Sequence, residues 1–228
     1  MDFDYNNIEQ YYDKAYWDEP GVKSGYTWMT QSVGGEWHDQ ACGWFNSVIS
    51  VRRKSLFDAG CGLGHFMTGF RKLGADAYGC DASDFCVQEV AKRFPKKVFH
   101  SRLEFIGNVC EQLFDIVFCT STMEHIPNHL INLVFNNLIS LCKSGGYIYI
   151  EIDTTPNTQK PVPEDSHVNI RPWPLWLLKI DKGRFPWSRD LGAESALRAT
   201  EDFPGFPHPG WNFVVLRKNT KKQNYSIY

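Results

Sequence analysis

A chain of 228 residues, 43% of them hydrophobic, is long enough for one packed domain with additions and too polar for a membrane-embedded one. Its 24 Lys and Arg against 26 Asp and Glu leave a formal charge of -2, so no global basic field draws it to phosphate backbones or anionic lipid; neither nucleic acid nor membrane is an expected partner. The seven cysteines are odd in number and contain no C-x-x-C pair, which argues against a disulfide framework or a cysteine zinc site and for reduced thiols in a cytoplasm.

In chain order, Met1-Asp2-Phe3-Asp4-Tyr5 is acidic and polar where a secretory leader would be basic and then apolar, and no later run approaches the roughly 20 apolar residues of a span. Residues 1–50 are dense in rings (Tyr11, Tyr12, Tyr16, Trp17, Tyr26, Trp28, Trp37, Trp44) and are expected to form a helical N-terminal lid. From 51 to 152 short apolar runs alternate with amphipathic stretches, the pattern of a parallel sheet covered by helices. The expected strands are Ser55–Asp58, Ala77–Asp81, Lys97–His100, Phe114–Cys119 and Gly146–Ile152. Ser83 is the expected N-cap of a helix over Phe85–Phe94, with Val87, Val90, Ala91 and Phe94 on one face and Pro95 as its stop. A second helix is expected over Asn128–Lys143, ended by Gly145-Gly146.

Residues 153–228 are expected to be a substrate-side insertion and a terminal strand; the stretch 153–212 holds Pro161, Pro163, Pro172, Pro174, Pro186, Pro204, Pro207 and Pro209, so it is expected to be loop-rich, with one short helix over Leu175–Lys182. Trp211–Leu216 reads as a returning strand, one arm of an antiparallel edge hairpin, and Arg217, Lys218, Lys221 and Lys222 read as a solvated tail. The expected architecture is a single α/β domain: a Rossmann-like, doubly wound, mostly parallel sheet with an antiparallel C-terminal edge strand and helices on both faces.

The strongest chemical signal is Leu56-Phe57-Asp58-Ala59-Gly60-Cys61-Gly62-Leu63-Gly64-His65-Phe66, a strand that runs through three alternate glycines into a helix. Glycines there let the backbone turn tightly and bring bare N–H groups against a ligand. The spacing is G-x-G-x-G with an acid two residues ahead of it, unlike the dinucleotide fingerprint. A carboxylate so placed repels pyrophosphate and attracts an ammonium group, which points to a cofactor that carries an amino acid. Asp81, 23 residues after Asp58 at the end of the next strand, sits where a carboxylate accepts both hydroxyls of a ribose.

These residues, with Phe114-Asp115-Ile116-Val117-Phe118-Cys119 and Met123-Glu124-His125-Ile126, resemble class I S-adenosylmethionine-dependent methyltransferases of the ubiquinone-methyltransferase-like branch over roughly residues 50–152. The resemblance implies a cofactor site built by Asp58, Ala59, Gly60, Cys61, Gly62 and Gly64 under the methionine moiety, Asp81 and Ala82 at the ribose, and Ser101, Arg102 and Leu103 beside the adenine. It also implies that Cys119 and Thr120 face the sulfonium. Tyr12, Tyr16 and Trp17 either cover the sulfonium with ring faces or pack a helix onto the sheet.

His125 is the candidate proton acceptor, or else a residue that packs beneath the cofactor; His167 and His208 are the other candidates. Glu124 reads as a turn carboxylate able to orient His125. Trp173, Trp176 and Trp187 line an acceptor pocket, or close the core or a dimer interface. The chain lacks the [DNS]-P-P-[YFW] segment of base-amino methyltransferases and the magnesium-binding aspartate of catechol-type enzymes, so base methylation and a catalytic metal both rank low.

The expected activity is methyl transfer from S-adenosylmethionine to an oxygen or nitrogen of a small-molecule acceptor, by a monomer or homodimer. The competing readings are internal displacement that releases methylthioadenosine, a protein methyltransferase, and a non-catalytic partner subunit that keeps the fold.

Overall fold

Seven strands hydrogen-bond into one sheet in the computed structural model, which describes residues 3–18, 32–156, 165–181, 187–200 and 211–220. They are β1 (Ser55–Ala59), β2 (Asp76–Asp81), β3 (Val98–His100), β4 (Phe114–Thr120), β5 (Cys142–Asp153), β6 (Trp187–Arg189) and β7 (Trp211–Lys218), in the spatial order β3-β2-β1-β4-β5-β7-β6. The first five are parallel; β7 runs antiparallel to β5, and β6 antiparallel to β7. The order reverses between β1 and β4, and a crevice opens at such a switch point beyond the carboxyl ends of the strands.

Side chains alternate across the sheet, as strand geometry dictates. On one face Phe57, Val117, Cys119, Ile148, Ile150, Val214 and Leu216 form a core with α6 (Ile131–Leu141), α7 (Trp173–Asp181) and a 3-10 turn over Leu103–Asn108. On the other face Leu56, Ile116, Phe118, Tyr149, Phe213 and Val215 pack with α3 (Ser32–Val48), α4 (His65–Lys72), Val90 of α5 (Asp84–Arg93) and Leu197 of α8 (Leu191–Ala199). The doubly wound architecture is therefore present, with helices on both faces. Two short helices, α1 (Ile8–Tyr11) and α2 (Lys14–Asp18), precede α3.

Several boundaries differ from expectation for local reasons. The helix expected to reach Lys143 ends at Leu141, and β5 begins at once with Cys142. Gly145 and Gly146 lie inside that strand: Gly145 takes a φ of +76°, and a Cβ on Gly146 would stand 2.7 Å from the Asp115 carbonyl oxygen, where the pairing with β4 shifts register. The antiparallel edge is a pair, as expected, with β6 outermost and Trp211–Leu216 within β7 as its inner arm against β5. Within residues 1–50, α3 is a core helix through Cys42 and Phe45, not part of a lid. The expectations for Tyr26, Trp28, Pro161, Pro163, Pro186, Pro204, Pro207, His208, Pro209, Lys221 and Lys222 lie outside the described residues.

Candidate active site

The turn after β1 runs through three left-handed glycines: Gly60, Gly62 and Gly64 have φ of +78°, +49° and +72°. The N–H groups of Gly60 and Cys61 donate to the Cys80 carbonyl at 3.0 and 2.8 Å, which ties the turn to the end of β2. A Cβ on Gly60 would stand 2.3 Å from Thr122 Oγ1, so that position admits glycine for space as well as for φ. Gly64 closes the turn as the N-cap residue of α4.

Asp81, at the end of β2, organises the chain beside the glycine turn. Its carboxylate accepts from Gly62 N at 2.8 Å and from Ser83 N at 2.9 Å, and burial holds its carboxyl above the ordinary value against the lowering effect of those N–H groups. Each carboxylate oxygen has further lone-pair capacity, so the arrangement aims an acceptor into the pocket while fixing its orientation. Ser83 accepts from Cys86 N at 3.1 Å, as an N-cap should, and donates to the Tyr12 carbonyl at 2.5 Å.

That last bond fastens the N-terminal segment across the crevice. Tyr11, Tyr12, Tyr16 and Trp17 form a ladder of rings with successive centroids 5.2, 4.7 and 5.1 Å apart, and the Tyr12 hydroxyl lies 2.7 Å from His125 Nδ1. Tyr5 donates to Glu104 Oε2 at 2.9 Å, and Glu104 pairs with Arg102 at 2.9 Å, which anchors the segment to the chain after β3. Burial and the Glu104 charge both push the Tyr5 hydroxyl well above its usual range, so it stays a donor.

Beyond β4, Ser121 takes a φ of +46° and a 3-10 turn over Met123–His125 follows. The His125 and His167 rings meet edge to face with centroids 4.5 Å apart. His125 Nδ1 is also 3.2 Å from the Ser166 carbonyl oxygen, and His167 Nδ1 is 3.7 Å from Asp153 Oδ2.

One pocket thus gathers most of the sequence candidates. Tyr12, Tyr16, Trp17, Gly60, Gly62, Asp81, Ala82, Ser101, Arg102, Leu103, His125 and His167 all line it. Asp58, Ala59, Cys61, Gly64, Cys119 and Thr120 are not among its lining residues. Asp58 is 1% exposed and lies behind the glycine turn, where burial and then the Asp81 charge raise its carboxyl to about 8. Ala59 and Cys119 are core residues. Thr120 turns its carbonyl to Thr122 Oγ1 at 2.8 Å, so Ser121 and Thr122 form the wall expected of Cys119 and Thr120.

Sequence reasoning also missed Tyr5, Ile8, Cys80 and Ile126 in the lining. The ring content of the N-terminal segment was a signal for Tyr5; no local pattern marks the others. Among the tryptophans, Trp176 is fully buried in the core with Arg171 stacked 4.8 Å over it, and Trp173 and Trp187 pack against the same core, so none of the three lines the pocket. Burial keeps the Cys61, Cys80 and Cys119 thiols well above their ordinary range, hence neutral.

A family model described as a methyltransferase domain matches residues 40–194. A ubiquinone biosynthesis O-methyltransferase of Dechloromonas aromatica is 29% identical over 148 residues, 60% of this chain and 62% of its own. A protein of the same description from Aliivibrio fischeri is 27% identical over 103 residues, 42% of each chain. The chain therefore spans less than two thirds of the length of these curated relatives. Among solved structures, the plantazolicin methyltransferase BamL with a triazolic analogue and SAH aligns with a TM-score of 0.63 at 14% identity, covering 95% of this chain and 96% of that one. Magnesium protoporphyrin IX methyltransferase from Synechocystis PCC 6803 with bound SAM aligns with a TM-score of 0.57 at 15% identity, covering 94% and 96%.

Proposed function

The chain belongs to the methyltransferase-domain family matched by residues 40–194, and from that premise we propose that it binds S-adenosylmethionine in the described pocket and transfers the methyl group to an oxygen of a small-molecule acceptor. The observation that carries the reading is one pocket with two chemically distinct ends: left-handed glycines and the Asp81 carboxylate at one, the His125 and His167 imidazoles at the other. Oxygen is favoured over nitrogen because the curated relatives carry O-methyltransferase names.

The residues fit the cofactor. The bare Gly62 lets the Trp17 ring close directly on the turn, since a Cβ there would stand 3.1 Å from Trp17 Cη2. Gly60 and Gly62 underlie the methionine moiety, with Asp58, Ala59, Cys61 and Gly64 shaping the turn from behind. Asp81 accepts from the ribose hydroxyls beside Ala82, and Ser101, Arg102 and Leu103 flank the adenine. Tyr16 and Trp17 bring ring faces toward the sulfonium, an arrangement that attracts a cation. Cys119 and Thr120 support Ser121 and Thr122 at the rim. When bound, the cofactor supplies a methyl carbon already activated by its sulfonium leaving group.

What remains for the protein is alignment of donor and acceptor, exclusion of water by the N-terminal segment, and removal of the acceptor's proton by His125 or His167. Tyr12 sets the ring orientation of His125 through the 2.7 Å contact. We place the enzyme in a reducing cytoplasm, because all seven cysteines are free and buried; no described helix is long and apolar enough to cross a membrane.

Calorimetry with S-adenosylmethionine tests the site. Asp81→Ala is expected to weaken binding by at least roughly tenfold, the scale of one lost charge-assisted hydrogen bond; unchanged affinity would remove the cofactor from this pocket. Mass spectrometry with a panel of hydroxylated and aminated small molecules tests the reaction. S-adenosylhomocysteine with a product heavier by one CH₂ is expected, whereas methylthioadenosine would show internal displacement instead.

A further inference from the structure

We propose that Glu124, His125 and His167 form a binding site for one divalent transition-metal ion at the acceptor end of the pocket. One ligand atom from each of the three lies within 4.8 Å of the others. Metal–ligand bonds of about 2.0–2.2 Å put neighbouring ligand atoms roughly 3–4 Å apart, so closure on an ion requires side-chain shifts of about an ångström or less. Two imidazoles and a carboxylate are the donor set of three-ligand sites that keep a coordination position open for water or substrate, and they suit Zn²⁺, Co²⁺ or Fe²⁺ better than a hard cation.

The surroundings hold these donors in the way ligand sets are held. Metal-bound histidines usually engage the second ring nitrogen with a carbonyl or carboxylate, which fixes the tautomer and makes the other nitrogen the basic one. Here His125 Nδ1 faces the Ser166 carbonyl at 3.2 Å and the Tyr12 hydroxyl at 2.7 Å, and His167 Nδ1 faces the Asp153 carboxylate at 3.7 Å. Engagement of Nδ1 leaves Nε2 of each ring as the ligand atom assigned to the ion.

The backbone is braced as well. Asn169 N donates to the Glu124 carbonyl and Asn169 Nδ2 to the Ile126 carbonyl, each at 2.9 Å, so the segment that carries His167 is stitched to the turn that carries Glu124 and His125. Glu124 Oε1 accepts from Asp153 N at 3.3 Å, which joins the end of β5 to the same cluster.

Two buried carboxylates, Glu124 and Asp153, stand close to two imidazoles, and a divalent cation offsets that negative charge. His125 and His167 line the pocket while Glu124 sits behind them, so the open position faces the acceptor. An acceptor hydroxyl bound to the ion is more acidic and is held in place, so its proton can pass to water at the pocket mouth and neither imidazole need act as the base. This role in turnover rests on the methyl-transfer reading; binding of the ion does not. No motif announces the site, because its third ligand lies 42 residues beyond the adjacent pair.

The test is a Co²⁺ titration of the EDTA-treated full chain, read by visible absorption, with cofactor binding measured in parallel by calorimetry. One Co²⁺ per chain with visible ligand-field bands is expected. Glu124→Gln and His167→Asn should weaken it roughly 100-fold or more, and Asp153→Asn about tenfold, since outer partners of metal ligands typically account for 10- to 100-fold in affinity.

Absence of a saturable band in the unmodified chain overturns the proposal, and so does a band that persists unchanged in both folded ligand variants. Should those variants fail to fold, displacement of the Co²⁺ band by one equivalent of Zn²⁺ in the unmodified chain is the supporting result, and failure of displacement is the opposing one. Loss of cofactor binding with Co²⁺ binding intact would refute the methyl-transfer reading alone; the converse would refute the metal site alone.

Discussion

Replacing Asp58 by Asn should flatten the dependence of stability on pH. The Asp58 carboxyl is pushed to about 8 in the fold, by burial first and by the Asp81 charge second, against roughly 3.9 in an unfolded chain. Because the folded value is the higher one, the folded state holds a proton that the unfolded state releases above about pH 4. Stability therefore falls as pH rises from about 4 and levels off above about 8.

At about 1.4 kcal/mol per pKa unit, this one group contributes a decline of up to about 4 kcal/mol between pH 5 and pH 8, less whatever local relaxation and water entry recover. Glu151, buried beside Tyr149 and raised to about 8 by burial, adds a decline of the same sign. Urea unfolding followed by tryptophan fluorescence at half-unit steps from pH 5 to pH 8 reads the effect directly. The wild-type curve should fall steeply and the Asp58→Asn curve about half as steeply. Parallel curves would refute the placement of a neutral carboxyl behind the glycine turn.

Two further substitutions probe the frame around the site. Gly60→Ala puts a Cβ 2.3 Å from Thr122 Oγ1 at a φ of +78°; a loss of about 1–3 kcal/mol in urea unfolding and at least roughly tenfold weaker cofactor binding are expected, and wild-type affinity would show that the turn opens without cost. Glu194 is buried, pairs with Arg189 at 2.6 Å and accepts from Val215 N at 3.1 Å, so Glu194→Ala leaves a cation and a strand N–H without that acceptor. With Arg189 a quarter exposed, the cost should be about 2–3 kcal/mol, or roughly 5–10 °C in Tm by calorimetry; a shift under about 2 °C would show that solvent replaces the carboxylate.

The parallel half of the sheet was legible because each of its strands carries its own signal, and the glycine turn and Asp81 because three glycines and an acid at fixed spacing have few structural alternatives. What escaped reading depends on which way a strand end turns its side chains, or on contacts distant in sequence. Cys119 and Thr120 looked like the rim since they end a strand, yet the alternation of β4 buries Cys119 and the left-handed Ser121 passes the rim to Thr122. Asp58 precedes the glycines by two residues but shares the strand face of Leu56, behind the turn. The strand β6, three residues long, and α8, with no proline or cap signal beyond Asp190, become elements only because β7 and the core give them something to pair with and cover. The meeting of His167 with Glu124 and His125 belongs to the same class.

The N-terminal segment is pinned at one residue to both ends of the pocket: the Tyr12 carbonyl to Ser83 beside Asp81, and the Tyr12 hydroxyl to His125. The two contacts are therefore mechanically linked: a movement of Tyr12 large enough to break its bond to Ser83 also disturbs the ring beside His125, while the Tyr5 contact with Glu104 still holds the start of the segment.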